Sequence, residues 1–309
     1  MTLTATPSAA LRATKAPALP VARLVVGKPV DEVAALLPRL FSLCRAAQKA
    51  AVDGALGRTV DSDGIGQEIL RDHLLKLCVT WPNLLGLGAR PLPIAAQDWN
   101  TAAQPQLPVG RASGQGVAEA LFGPRRTAPA TPADFTAFMN SDIGAAPVLS
   151  RIAQCFAPHE ACANALPAVT MATIWADTPS ENSTASRHID HPVMRMIEAR
   201  HGRGPLWRAV ARLYDVDMVI HGTLPECDLG TPGQAMVPAT RGVYAVRLET
   251  DGDTVTHLTR VTPTDSLLAR DGILDRSIAS LPATKAGLAP LMMDILDPCS
   301  PVRLEAYNA

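Results

Sequence analysis

The feature that most constrains the fold is that the β signal falls in one place. Residues 243–249 and Thr254–Val261 are rich in β-branched and apolar side chains and flank Thr250-Asp251-Gly252-Asp253. Asp-Gly between two such runs predicts a hairpin, because glycine accepts the positive φ that a tight hairpin turn requires. The periodic apolar pattern elsewhere is helical. Over residues 66–79, Ile69, Leu70, His73, Leu74, Leu77 and Cys78 share one face. With 47% hydrophobic and 18% charged residues in 309, the chain can bury a large core around such helices. The expected class is α+β, predominantly α-helical, with a β-hairpin near the C-terminal third.

Punctuation sets the other boundaries. Asp31 is expected to cap a helix over 32–37, which Pro38 ends, and a turn over 39–44 leads to a second helix, Arg45–Ala55. Pro82 is expected to interrupt the 66–79 helix. Residues 82–132 are broken by Pro and Gly and read as a long irregular connection. Further helices are expected from Thr131 or Asp134 to Met139, over 146–156, over 192–213 with a break at Gly202–Pro205, and over 267–281 and 285–296. Residues 1–20 are rich in Ala, Thr and Pro and contain no acid, so residues 1–22 are expected to form a flexible N-terminal arm.

Composition excludes several functions. A formal net charge of −1 offers no electrostatic footprint for nucleic acid. No apolar run reaches the ~18 residues that membrane insertion needs, and no secretory signal pattern is evident. No Gly-rich nucleotide loop or Gly-x-Ser-x-Gly elbow occurs. Six cysteines in this length are too sparse for a disulfide scaffold. Any cysteine with a function should therefore stand in special local sequence.

Two do. Pro38-Arg39-Leu40-Phe41-Ser42-Leu43-Cys44 leads into Arg45-Ala46-Ala47-Gln48, and Asp297-Pro298-Cys299 leads into Ser300-Pro301-Val302-Arg303-Leu304-Glu305. Each sets a thiol in a turn beside a helix end, where a thiolate can meet a soft metal. Together they resemble the two signatures of the nickel–iron hydrogenase large subunit, Arg-x-Cys-x-x-Cys-x-x-x-His and Asp-Pro-Cys-x-x-Cys-x-x-His. Arg39 and Cys44 match the first; Phe41 replaces its first Cys and Gln48 its His. Asp297, Pro298 and Cys299 match the second; Val302 replaces its last Cys and Glu305 its His. Thr240-Arg241-Gly242, followed by the hairpin and by Val261-Thr262-Pro263-Thr264, resembles the family's Arg-Gly and Pro-Thr segments. His73 stands where the family often has a helical His.

The resemblance implies a truncated large-subunit-like domain over 23–309. By position, Cys44 matches a bridging thiolate and Cys299 a terminal nickel ligand. Two thiolates cannot form the four-sulfur nickel site, so neither hydrogen turnover nor nickel is expected. They could hold one iron already carrying cyanide and carbonyl, as a transient Fe(CN)2CO unit. Arg241, Pro263 and Thr264 match residues that surround the cyanides, and Asp297 matches the acid that orients the arginine. The chain stops ten residues after Cys299, so no cleavable extension of the large-subunit kind is expected.

The whole pattern resembles the HupK/HoxV group of hydrogenase maturation proteins. That group implies a cytoplasmic, non-enzymatic scaffold or chaperone. Its expected partners are the hydrogenase large-subunit precursor and Hyp-type maturation proteins. Two other readings stay open: a metal-free chaperone of the precursor, and a thiol-redox protein using Cys44 and Cys299. Rival metal sites at Cys155/His159/Glu160/Cys162 and at His188/Asp190/His191 have soft ligands at short spacing. The ordinary readings are a helix-connecting turn for the first and a solvated loop for the second.

Overall fold

The computed structural model describes residues 11–15, 19–40, 43–93, 111–164 and 166–306. In chain order the elements are β1 (Leu11–Lys15), α1 (Val21–Val25), α2 (Val30–Leu36), α3 (Arg45–Ala55), α4 (Asp63–Leu75) and α5 (Trp81–Leu84). Then come α6 (Arg111–Phe122), α7 (Pro132–Met139), α8 (Ala146–Cys155), α9 (Pro192–His201) and α10 (Pro205–His221). The chain finishes with β2 (Gln234–Ala239), β3 (Gly242–Asp251), β4 (Thr254–Val261), α11 (Pro263–Leu267), α12 (Ile273–Ala279), α13 (Ala289–Leu296) and β5 (Val302–Ala306). The molecule is α+β and mainly helical, with two small antiparallel sheets.

The hairpin forms as β3–β4 around Gly252, whose φ is +54°. It gains a third strand that the pattern did not reveal. β2 pairs with β3 through the two-residue turn Thr240–Arg241, with Ala239 opposite Gly242. One face of this sheet carries α3, whose small residues permit a close approach: a Cβ on Gly54 would lie 2.6 Å from Leu229 and 3.1 Å from Ala235. That contact fixes where Cys44, at the head of α3, sits relative to the β2–β3 turn.

α10 runs through the centre of the helical part and packs against α4, α6, α8, α9 and α13. Pro205 to Val216 are all buried. The predicted face of α4 is buried as expected, with Ile69, His73, Leu74 and Leu77 fully enclosed. Pro82 does not end this helix. A π-helical turn, Lys76–Thr80, carries it into α5, with the Trp81 amide bonded to the Lys76 carbonyl five residues back. Pro82 has no N–H for the Cys78 carbonyl, and the amide of Arg90 takes that acceptor instead.

Several expectations need correction. Asp31 lies inside the first turn of α2 and pairs with Arg58; Pro29 stands at the cap. The connection over 82–132 contains α6, and only 94–110 of it lies outside the described residues. The helix expected over 267–281 is split between α11 and α12. Gly272 sits so tightly in the intervening turn that a Cβ would lie 2.7 Å from the Ala269 carbonyl oxygen. In 285–296 the helix begins only at Ala289, with Pro290 in its first turn. Within the stretch read as a flexible arm, Leu11–Lys15 pairs in full register with Val302–Ala306. Leu11, Ala13, Val302 and Leu304 lay that ribbon on the core. Two open strands alone are marginal, so this packing holds them. Thr131 caps α7 and Gly202–Pro205 separates α9 from α10, both as expected.

Candidate functional site

Both motif turns end in left-handed backbone. Cys44 caps α3 with φ 56°, and Asp297 caps α13 with φ 53°. A non-glycine residue at positive φ is uncommon, and strain of this kind persists only where surrounding contacts impose it. Around Cys44 those contacts are visible. The Gln48 amide side chain donates to the Leu43 carbonyl at 2.8 Å, and Glu68 of α4 accepts the Ala46 amide at 2.9 Å. Gln48, which replaces the motif His, is thus a brace for the turn. Phe41 lies outside the described residues.

Cys44 is half-buried and lies against Thr240 and Arg241 of the β2–β3 turn. Burial pushes its thiol pKa up, against the opposing pull of the Thr240 hydrogen bond and the Arg241 charge. Cys299 is exposed. Its backbone amide donates to the Thr264 hydroxyl at 2.8 Å, and that hydroxyl donates to Sγ at 2.8 Å. The Thr262–Asp265 capping box of α11 sets the position of Thr264.

Arg241 joins the two turns. Its Nη2 donates to Asp297 Oδ1 at 3.3 Å and to Asp72 Oδ1 at 3.2 Å. Nε lies 2.9 Å from Asp297 Oδ2, yet its N–H points off that oxygen. Arg212 of α10 reinforces the same acids, reaching Asp72 Oδ2 and Asp297 Oδ2 at 2.9 Å each. Lys76, brought round by the π turn, lies 3.2 Å from Asp297 and 3.0 Å from Asp294. Burial disfavours charge on Asp72, but the His73 hydrogen bond and the Arg212 and Arg241 charges hold it well below the usual carboxylate range. Asp297 is lowered too: burial opposes, and Arg212 and Arg241 prevail. Both acids are therefore ionised at neutral pH, and Arg241 remains a charged donor.

A deeper layer fixes this layer. His73 accepts from Arg212 at Nδ1 (3.0 Å), so its proton is on Nε2, which donates to Asp215 at 3.0 Å. Asp215 is wholly buried and also takes His188 Nε2 at 2.7 Å and Arg187 Nε at 3.0 Å. Arg187 in turn donates to the Ala239 and Gly242 carbonyls on either side of the Thr240–Arg241 turn. Arg208 holds Glu181 in a bidentate pair at 2.7 and 2.8 Å.

The four residues expected around the cyanides, Arg241, Pro263, Thr264 and Asp297, line one cavity together with Asn182, Ser183 and Arg208. Its volume is about 10 Å³, room for one water-sized atom. Neither cysteine lines it. Among the described residues no group of three or more His, Cys, Asp or Glu side chains is arranged to hold a metal ion. In the Cys155–Cys162 segment, Glu160 pairs with Lys285 and Cys162 Sγ donates to the Glu160 and His201 carbonyls. Burial raises the Cys162 thiol to about 11, as for a thiol in a packed turn. His188 is buried on Asp215 and His191 caps α9, so that segment is a tied turn and not a solvated loop.

No protein-family model matches the chain. The chain is 46% identical over 287 residues to the hydrogenase expression/formation protein HupK of Rhodobacter capsulatus, across 93% of this chain and 90% of that one. The chain belongs to the HupK family.

For this HupK-family chain, the sequence pointed to Cys44, Arg241, Pro263, Thr264, Asp297 and Cys299, and the structure sets all six around the two joined turns. It did not point to Asp72, Arg208, Arg212 or Asp215. The signal for the last three was present: Arg208, Arg212 and Asp215 recur at i, i+4 and i+7 in a helix otherwise apolar on every side. Charges at helical spacing inside a buried helix must be paired to be tolerated. Val302 and Glu305, at the positions of the lost Cys and His, belong to β5, where Val302 stands opposite Lys15 and Glu305 opposite Arg12. No helix among the described residues is long and apolar enough to cross a membrane.

Proposed function

We propose that this chain is a hydrogenase maturation factor, a non-catalytic scaffold on a truncated large-subunit-like fold. It takes up the Fe(CN)2CO unit on Cys44 and Cys299 and passes it to the hydrogenase large-subunit precursor, in the cytoplasm and in contact with Hyp-type maturation proteins. Membership of the HupK family supports the maturation role. The observation that carries the finer reading is the convergence of the two cysteine turns on Arg241, which adjoins Cys44 and bonds Asp297, two residues before Cys299.

The donor set suits that cargo. An iron that arrives with three strong-field ligands needs few protein ligands, and two thiolates supply them. Arg241 offers charge-assisted donors to an anionic cyanide, oriented by Asp72 and Asp297. The cavity lined by Arg241, Pro263, Thr264 and Asp297 has room for the end of one diatomic ligand, which leaves the iron itself outside. Exposed Cys299 gives the cargo a way off. The Thr264 hydroxyl is engaged by Cys299, so it acts first on the ligating sulfur.

Infrared spectra of protein purified without oxygen test this. Bands of metal-bound cyanide and carbonyl are expected in the wild type and are lost in Cys44→Ala and Cys299→Ala. Retention in both variants refutes the ligand assignment. A stable complex with the precursor, unaffected by Cys44→Ser and free of iron, would instead establish a metal-free chaperone.

A further inference from the structure

Arg208 has no counterpart among the motif residues, yet it lies in the cavity with Arg241. It is 5% exposed, and its Nη1 and Nη2 are spent on Glu181. Its Nε has no acceptor. The Nε of Arg241, on the same cavity, also lacks an aligned acceptor. A buried guanidinium N–H left unbonded is costly, and a cavity holding two of them calls for an acceptor. The other polar groups there are already used. Asn182 exchanges two bonds with Val243, Ser183 donates to Glu181, and the Thr264 hydroxyl serves Cys299. What is missing is one small atom with lone pairs and no need to donate.

We infer that the cavity between Arg208 and Arg241 is an acceptor site for the nitrogen end of a cyanide-type anion, and that Arg208 is the specificity-determining residue favouring it over carbonyl. Water would satisfy the donors as well, but it brings two hydrogens with only Asp297 to receive them. The carbonyl oxygen of a metal-bound CO is a weak acceptor and satisfies neither donor. A cyanide nitrogen accepts both. The two guanidiniums are fixed by Glu181 and by Asp72 and Asp297, so they need no reordering to receive it. The proposal rests on the cargo reading above for the identity of the ligand, not for the existence of the site.

Thiocyanate separates the two, because it presents a cyanide nitrogen without iron, and its C–N stretch reports the donors around that nitrogen. Infrared titration of iron-free protein is expected to show a bound band distinct from free thiocyanate. Arg208→Lys keeps a cation opposite Glu181 and removes Nε–H, and should weaken that band's affinity about tenfold or more, the effect of one charge-assisted donor. Circular dichroism melts confirm the fold of the variant. Should Arg208→Lys unfold, the double variant Arg208→Met, Glu181→Leu removes the pair together and carries the same expectation. Absence of a bound band in the wild type, or an equal band in the folded variants, overturns the inference and leaves a water site only. A bound band that depends on Arg208, in a protein that never carries iron, upholds the site and refutes the cargo reading instead.

Discussion

Replacing Asp297 by Asn isolates the charge that joins the two cysteine turns. Asn tolerates left-handed backbone, so the φ of 53° at this position survives. What changes is the electrostatics. Asp297 is 9% exposed at its side chain and receives charge-assisted bonds from Arg212 at 2.9 Å and Arg241 at 3.3 Å, with Lys76 at 3.2 Å. Neutralising one partner of each bond forfeits about 1–1.5 kcal/mol per bond, and one Asn amide hydrogen then faces a cation. Removing a buried partner outright costs ~3–5 kcal/mol, reduced here because Asp72 still touches both guanidiniums. The expected loss is about 3 kcal/mol in urea unfolding at neutral pH. The pH dependence checks the cause. The folded carboxyl titrates below its unfolded value, so its contribution is complete above the unfolded value of about 4 and is lost as pH falls through the folded one. The gap between wild type and Asp297→Asn should be flat from about pH 5 to 8 and shrink below about pH 4. A gap under about 1 kcal/mol at neutral pH, or one that widens in acid, refutes the reasoning.

Asp297→Ala should lose about 1 kcal/mol more than Asp297→Asn, because alanine resists the left-handed region; denaturant midpoints compare them. Gly242→Ala should destabilise by several kcal/mol, since at φ +149° its Cβ would lie 2.4 Å from Asn182 Oδ1; a thermal melt reads it, together with a changed cyanide band in iron-bearing protein. Deleting residues 1–15 removes the only strand paired with β5 among the described residues. Amide exchange at residues 302–306 should then accelerate by orders of magnitude while α10 is unchanged. Asp215→Asn leaves buried Arg187 short of its counter-ion and is expected to cost about 3–5 kcal/mol; a loss under about 1 kcal/mol in urea unfolding would show that the deeper layer does not support the turn.

Local chemistry was legible in the sequence. The Asp-Gly hairpin, the amphipathic face of α4, the Thr131 cap and the α9–α10 break each depend on residues close in the chain, and each formed where it was expected. The six site residues were legible because short motifs carried them. What the sequence did not reveal depends on partners far away in the chain. β2 lacks a signal of its own and becomes a strand only because β3 offers a free edge and α3 covers it. β1 needs a partner 291 residues on, Leu11 against Val302–Ala306, and so looked like a loose arm. Pro82 predicts a stop by local rules; Arg90 takes the orphaned Cys78 carbonyl and the helix continues. The ion network is the strongest case. Arg212 and Asp215 cost free energy in a buried helix on their own, and only the fold, bringing Asp72, His73, Arg187, Arg241 and Asp297 within bonding distance, turns that cost into the frame that presents Arg241 between two cysteine turns.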